Sequence, residues 1–142
     1  MSARVFVDTN IWIYAKVTKP DSLKHQIALT FLRGNTDRII ISTQVVNEFY
    51  SVMIKNHIPE NVIRESLEHL IPEVDLYTIT LSTIKLSWRI REKYNYSIYD
   101  SLIIASDLEA NCTILYSEDL QDKQLIEGRL RIFNPFTNPE NI

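Results

Sequence analysis

A short stretch near the start of the chain, Arg4-Val5-Phe6-Val7-Asp8-Thr9-Asn10, carries an apolar run directly into a carboxylate. The run has the β-branched and aromatic composition of a buried strand, and an apolar helical pattern follows it from Ile11. In open α/β sheets, ligands bind outside the carboxyl ends of the strands. Asp8 is therefore predicted to lie where sheets of this kind carry out their chemistry.

The composition is that of one globular domain. The chain has 142 residues, of which 45% are hydrophobic and 23% charged, and these values are typical of a single domain. We expect that domain to span residues 1–142, with a tail from about residue 135. Gly34 and Gly128 are the only glycines, which argues against the Gly-rich phosphate loops of P-loop and dinucleotide-binding proteins.

The net charge and the cysteine content limit the binding partners and the cellular compartment that we expect. The net charge of −3 does not indicate a bulk nucleic-acid binder, although a local basic patch can act within an acidic protein. Cys112 is the single cysteine, so disulfide frameworks and cysteine-type zinc sites are excluded and a cytoplasmic, reducing setting is expected. No signal peptide is expected, and no apolar run approaches the roughly 20 residues that span a membrane.

Strand-like and helical patterns alternate along the chain. Short β-branched runs predict five strands, at 4–7, 39–41, 74–79, 113–116 and 130–133. Periodic apolar positions predict six helices, at about 11–17, 23–33, 43–57, 60–70, 80–94 and 97–110. Pro20 marks the break before the second of these helices, and Gly34 marks its end. Strands that alternate with helices indicate a parallel sheet covered on both faces, which is an α/β fold.

Four carboxylates occur where such a sheet would collect functional groups. They are Asp8 after the first strand, Glu48 beside the apolar stripe of the third helix, Asp100 in the first turn of the sixth helix, and Asp119 after the fourth strand. Each also has an ordinary explanation. These are, in the same order, a helix cap, an ion pair with Lys55, a capping box and a solvated acidic loop. From the single positions, both explanations stay open.

Taken together, the four positions predict one cation site. If the first and fourth strands are neighbours, Asp8 and Asp119 end side by side, and the third and sixth helices begin at that same end of the sheet. Carboxylates so close raise each other's pKa, and a hard divalent cation such as Mg²⁺ or Mn²⁺ relieves the repulsion. The histidines, which are His25, His57 and His69, fall on separate helices and predict no zinc site.

These motifs resemble those of the PIN-domain ribonucleases, and most closely those of the toxin half of VapBC toxin–antitoxin systems. The resemblance covers nearly the whole chain in the right order. It is carried by Val7-Asp8-Thr9-Asn10, by Asn47-Glu48, by the run from Tyr99 to Ala105 and by the run from Tyr116 to Gln121. It implies a PIN-like domain with a central parallel sheet of five strands in the order 3-2-1-4-5, flanked by helices. It also implies an endoribonuclease that depends on Mg²⁺ or Mn²⁺.

The resemblance assigns roles to individual residues. The family's catalytic and metal-binding acidic quartet matches Asp8, Glu48, Asp100 and Asp119, and its supporting polar positions match Thr9, Asn10 and Ser117. One feature departs from the family pattern, because Glu118 stands beside Asp119 where an uncharged or small residue is often found. Asp122 lies close as well, so the assignment among these three acids stays open.

Partners follow from the same resemblance. It implies a homodimer, and a small antitoxin of a type II pair whose tail covers and inhibits the acidic pocket. Apolar candidates for either interface, or equally for the core, are Trp12, Tyr50 and Met53. Basic candidates for RNA contact are Lys16, Lys19, Lys24, Arg38, Lys55, Arg89 and Lys93. Aromatic candidates for stacking on unpaired bases are Tyr14, Tyr50, Tyr94, Tyr96 and Tyr99.

Three other functions fit less well. A phosphatase of the haloacid dehalogenase type requires a second aspartate two residues after Asp8, where Asn10 stands. A phosphoacceptor receiver domain requires an aspartate closing a central strand, whereas the third predicted strand ends in Thr78-Ile79-Thr80. A non-catalytic PIN-like scaffold that binds RNA or protein belongs to a different class. The intact acidic quartet argues against it, because uncompensated acids cost stability.

Overall fold

The computed structural model describes residues 4–16, 22–35 and 38–137. Its strands are β1 (Val5–Val7), β2 (Ile39–Ser42), β3 (Asp75–Tyr77), β4 (Ile114–Tyr116), β5 (Leu125–Ile126) and β6 (Leu130–Phe133). Its helices are α1 (Thr9–Lys16), α2 (Leu23–Asn35), α3 (Thr43–Lys55), α4 (Glu60–Leu70), α5 (Leu81–Tyr94) and α6 (Ile98–Glu109). Three positions considered in the sequence, Val17, Lys19 and Pro20, lie outside the described residues.

The sheet has the predicted order with one strand more. Its strands lie in the order β3-β2-β1-β4-β6-β5, and the first five of these run parallel, as predicted. The prediction of five strands was wrong, because β5 pairs antiparallel with β6 at the edge. The two are joined through Glu127 and Gly128, both at positive φ, as a tight hairpin turn requires. β5 has only two residues, which is too few to show the alternation of apolar and polar residues that marks a strand in the sequence.

β1 lies at the centre of the sheet and brings two chain segments together at its carboxyl end. Phe6 and Val7 are fully buried between the helical layers. Val7 pairs with Tyr116 of β4, and the backbone N–H of Asp8 donates to the carbonyl of Tyr116 at 3.0 Å. Asp8 and Ser117 therefore leave the sheet side by side, as the predicted strand order requires.

The helices that carry the candidate acids begin at this same end of the sheet. Ser42 caps α3 by accepting a hydrogen bond from the backbone N–H of Val45. Ser97 caps α6 by accepting from the backbone N–H of Asp100 at 3.1 Å. Helix α1 begins at Thr9, so Asp8 itself precedes its first residue.

Two of the apolar interface candidates belong to the core. Trp12 and Met53 are buried, and the indole N–H of Trp12 donates to the carbonyl of Val7 at 3.2 Å. Tyr50 is partly exposed and donates its hydroxyl to Glu60. Within the described residues, no helix is both long and apolar enough to cross a membrane.

Candidate active site

Asp8 forms the buried floor of the site. Its residue is 4% exposed. One carboxyl oxygen accepts from the backbone N–H of Thr9 at 2.7 Å, and the other accepts from the hydroxyl of Ser117 at 2.7 Å. Burial raises the pKa of Asp8 to about 7, against the lowering effect of these two hydrogen bonds, and the charges of Glu48 and Asp119 raise it further. Among the described residues, no cation forms an ion pair with Asp8, Glu48 or Asp119, so the negative charge of the pocket is not neutralised by these parts of the chain.

Asp119 is connected to this floor through two neighbours of Asp8. The hydroxyl of Ser117 accepts from the backbone N–H of Asp119 at 3.2 Å, so one side chain contacts both acidic segments. The side-chain amide of Asn10 donates to a carboxyl oxygen of Asp119 at 3.0 Å. Asp119 is itself exposed to solvent, and these bonds fix it at the rim of the site.

Glu48 is held from both sides. The hydroxyl of Thr9 donates to one of its carboxyl oxygens at 3.1 Å, and the side-chain amide of Gln44 donates to the other at 2.5 Å. The alternative of an ion pair with Lys55 is not found, since no described cation pairs with Glu48. Gln44 was not considered in the sequence. Its spacing of four residues before Glu48 on a helix was the signal that could have found it.

Asp100 enters the site from the first turn of α6. It is half-buried, and burial raises the pKa of Asp100 above its ordinary value. The hydrogen bond with Ser97 acts in the opposite direction, while the charges of Asp119 and Glu48 raise the pKa further. Gln44 links this helix to α3, because the amide that binds Glu48 also donates to the carbonyl of Tyr99 at 3.0 Å. The charges of Glu48 and Asp119 thus act on both Asp8 and Asp100, and the structure brings the four predicted carboxylates together.

The open side of the group is a cleft of about 240 Å³ lined by Thr9, Asn10, Ile13, Tyr14, Glu48, Val52 and Asp119. Two oxygen atoms nearby, Oδ1 of Asn10 and Oε1 of Gln44, are shielded from solvent and have no hydrogen-bond partner. In the described ranges, no three acidic, histidine or cysteine side chains already stand in ligand geometry. The donor set is nevertheless oxygen only, with surplus negative charge and unpaired acceptors, which fits a hard divalent cation.

Glu118 and Asp122 are engaged elsewhere. Glu118 forms an ion pair with Lys24 and accepts from the hydroxyl of Tyr14 at 2.7 Å. Asp122 accepts from the backbone N–H of Asn134 at 2.8 Å. Of the three acids left open by the sequence, Asp119 is the one bonded to Asn10 and Ser117 at the cleft.

The histidines lie apart from this group. His57 and His69 are exposed, and His25 is partly buried with its Nδ1 atom 2.9 Å from the carbonyl of Tyr14. His57 follows the end of α3 rather than lying on a helix. None of them lines the cleft.

The chain matches the model of one protein family and is similar in fold to several solved structures. The sequence profile of the PIN domain matches residues 5–125, and no curated protein sequence matches the chain. A toxin–antitoxin complex from Klebsiella pneumoniae is 21% identical with a TM-score of 0.70, over 92% of this chain and 97% of that one. The DNA-bound VapBC of Salmonella typhimurium is 17% identical with a TM-score of 0.70, over 94% and 98%.

A third solved structure, VapC20 from Mycobacterium tuberculosis, is described as a sarcin-ricin loop cleaving toxin. It is 16% identical with a TM-score of 0.67, over 81% of this chain and 91% of that one. At these identities, the likeness shows the fold.

Proposed function

Because the chain belongs to the PIN domain family, whose profile spans residues 5–125, we propose that it is a metal-dependent endoribonuclease and the toxin of a toxin–antitoxin pair. The observation that carries this proposal is the group of four carboxylates around the buried Asp8. Hydrogen bonds through Thr9, Asn10 and Ser117 hold Asp8, Glu48 and Asp119 in this group, and the charges of Glu48 and Asp119 act on Asp100. Support for the toxin assignment comes from neighbours of the same fold, two of which are toxin–antitoxin complexes.

The proposed cation, Mg²⁺ or Mn²⁺, would be held by Asp8, Asp100, Asp119 and Glu48. When bound, it supplies Lewis acidity, which lowers the pKa of an attacking water and neutralises charge on the scissile phosphate. The chain's own contribution is to fix the carboxylates. Ser117 and Thr9 orient Asp8, and Asn10 orients Asp119. Supporting contacts of this kind typically change metal affinity or activity by about ten- to a hundredfold.

Glu48 is proposed to orient the water or to complete the ligand set. Both of its oxygens are already bonded, to Thr9 and to Gln44, so the carboxylate cannot rotate freely. Its remaining lone pairs are available to accept a proton from a water at the phosphate. The proposed reaction forms one bond from water oxygen to phosphorus and breaks one ester bond.

We propose that RNA is contacted by exposed cations that form no ion pair among the described residues. Lys24 and Lys93 pair with Glu118 and Glu127. Within the described ranges, no ion pair engages Lys16, Arg38, Lys55 or Arg89, and all four are exposed. Lys19, the remaining candidate, lies outside the described residues.

We propose that two copies of the chain form a homodimer through the outer face of α5. Leu81, Ile84 and Trp88 are exposed at helical spacings that place them on one side of this helix, and Trp88 is 59% exposed. Light scattering on the purified chain should give twice the mass of the 16.6 kDa monomer. A monomer at micromolar concentration would contradict the dimer.

The antitoxin is proposed to inhibit by covering the acidic cleft. Adding a candidate antitoxin to the cleavage reaction should therefore abolish cleavage in proportion to the complex formed. Unchanged cleavage by the fully formed complex would show that the antitoxin acts by some other route.

The competing function is a scaffold that binds RNA or protein without cutting it. Burial of Asp8 among other carboxylates argues against this function, since such a site costs stability that a cation would recover. Catalysis separates the two functions directly, because the scaffold leaves RNA intact.

The experiment that tests the proposed function follows the purified chain on structured and unstructured RNA, with Mn²⁺ or with a chelator. We expect Mn²⁺-stimulated cleavage whose products carry linear phosphate ends, because water is the nucleophile. Cleavage that persists in the chelator, or products with 2′,3′-cyclic phosphates, would contradict hydrolysis by a metal site.

A paired substitution tests the assignment of Asp119 over its neighbour. Asp119→Asn is expected to weaken Mn²⁺ binding by at least about tenfold, because it removes a proposed ligand. Glu118→Gln is the matched control and should leave Mn²⁺ binding unchanged, because Glu118 is bonded to Lys24 and Tyr14. Calorimetric titration measures both. The reverse result, with Glu118→Gln the weaker binder, would reassign the ligand.

A further inference from the structure

Tyr99 is the tyrosine whose ring projects into solvent. It is 68% exposed, although all seven tyrosines lie in the described part of the chain. The others are engaged. The hydroxyls of Tyr14, Tyr50, Tyr77, Tyr94 and Tyr96 bind Glu118, Glu60, Glu109, Glu127 and Gln124, and Tyr116 packs on Phe31 and Phe133. The Tyr99 side chain has no hydrogen bond or ring contact with any described residue.

The backbone of Tyr99 is fixed relative to the acidic group. Its carbonyl accepts from the amide of Gln44 at 3.0 Å, and the same amide donates to Glu48 at 2.5 Å. The next residue is Asp100, whose backbone N–H is bonded to Ser97. The backbone that carries this exposed ring is therefore anchored next to Glu48 and Asp100, two of the four carboxylates.

We propose that the ring of Tyr99 stacks on an unpaired base next to the scissile phosphate and so holds the RNA strand at the acidic cleft. This inference rests on the proposed function, because it takes the acidic cleft as the place of cleavage. Bases in an A-form duplex are inaccessible, whereas unpaired bases are splayed out and stack on aromatic side chains. Stacking accepts any base, since every base has a π face.

Stacking would also contribute affinity for RNA that electrostatic attraction to the phosphates does not supply. The chain has a net charge of −3, and two of the candidate lysines are paired with glutamates. A chain of net negative charge, with four candidate cations outside the ion pairs of the described residues, gains less from the phosphate backbone than a basic protein does. One stacked base strengthens binding by roughly five- to a hundredfold, which makes the ring a substantial part of substrate binding.

The test compares Tyr99→Ala, Tyr99→Phe and Ile98→Ala on a single-stranded oligoribonucleotide with Mn²⁺. Ile98 is the matched control, because it is 60% exposed beside Tyr99 but is not aromatic. Tyr99→Ala should raise KM by roughly five- to a hundredfold with little change in kcat. Tyr99→Phe, which keeps the ring, should restore the wild-type KM, and Ile98→Ala should leave it unchanged. An unchanged KM in Tyr99→Ala overturns the inference.

A second readout needs no cleavage. In an Asp8→Asn background, an oligonucleotide with 2-aminopurine at the flanking position should lose fluorescence on binding, and Tyr99→Ala should abolish that quenching. If Tyr99→Ala instead turns a dimer into a monomer in light scattering, the ring contacts a second copy and the inference is overturned. Absence of Mn²⁺-stimulated RNA cleavage by the wild type overturns the proposed function and this inference together. Wild-type cleavage with an unaffected Tyr99→Ala variant overturns this inference alone.

Discussion

Replacing Asp8 with asparagine is expected to reduce Mn²⁺-stimulated RNA cleavage by more than about a hundredfold while the protein stays folded. Residues that only orient a metal ligand typically contribute up to about a hundredfold, and Asp8 is proposed as a central ligand. The fold should survive, because asparagine has nearly the same shape. Its oxygen can accept from the backbone N–H of Thr9, and its amide can donate to the hydroxyl of Ser117, the two groups that Asp8 binds.

The measurement is the cleavage rate of wild type and variant at equal concentration, with circular dichroism as the check on folding. Asp75→Asn is the matched control, since Asp75 is an exposed aspartate on β3, and this variant should cleave as the wild type does. Cleavage by a folded Asp8→Asn variant within a few-fold of the wild type would remove Asp8 from the proposed site.

The second large effect concerns stability and Asp107, which lies inside α6 and faces away from solvent. Asp107 is fully buried, and neither of its carboxyl oxygens has a hydrogen-bond partner among the described residues. Burial raises the pKa of Asp107 well above its ordinary value, and the charge of Asp8 raises it further. The folded protein therefore keeps this proton at pH values where the unfolded chain has lost it.

The sign of the pH dependence follows from that difference. The associated stability is fully present below about pH 4, where both states are protonated, and is lost as the pH rises toward the folded pKa. The loss is up to about 1.4 kcal/mol for each pH unit. Asp107→Asn cannot ionise, so this variant should become increasingly more stable than the wild type as the pH rises from about 4 to about 8, and should differ little from it at about pH 4.

Urea unfolding across this pH range measures the effect, and a rise in Tm of several degrees should accompany it. Asp75→Asn again serves as the control and should follow the wild-type curve, because Asp75 is exposed. If the free energies of unfolding of wild type and Asp107→Asn differ by a constant amount at every pH, Asp107 does not hold its proton in the folded state.

The fold was predictable to the extent that its determinants are local. The run from Val5 to Asp8 identifies the central strand, and helical patterns between β-branched runs indicate a parallel sheet, which the structure confirms. The edge strand β5 was missed because it has two residues and depends on pairing with β6. The start of α1 was predicted at about residue 11, whereas the helix begins at Thr9.

The site was less predictable, because its contacts join residues far apart in sequence. Spacing on a helix placed Glu48 beside an apolar stripe, but its bond to Thr9 spans 39 residues. Glu118, the acid beside Asp119, is bonded to Lys24, which lies 94 residues earlier in the sequence. Asp107 was missed for a different reason. Its neighbours from Ser101 to Ala105 gave an apolar pattern, and one buried acid farther along that helix leaves no periodic signal.

The central claim is that the carboxylates around Asp8 hold a divalent cation, and Mn²⁺ titration by calorimetry tests it without depending on the choice of RNA. The titration should be run at about pH 6, below the pKa of Asp8, in two buffers of different ionisation enthalpy. We predict that the wild type binds Mn²⁺ with release of a proton, and that Asp8→Asn binds at least about tenfold more weakly without that release. Equal affinity and equal proton release in the two proteins would contradict the account.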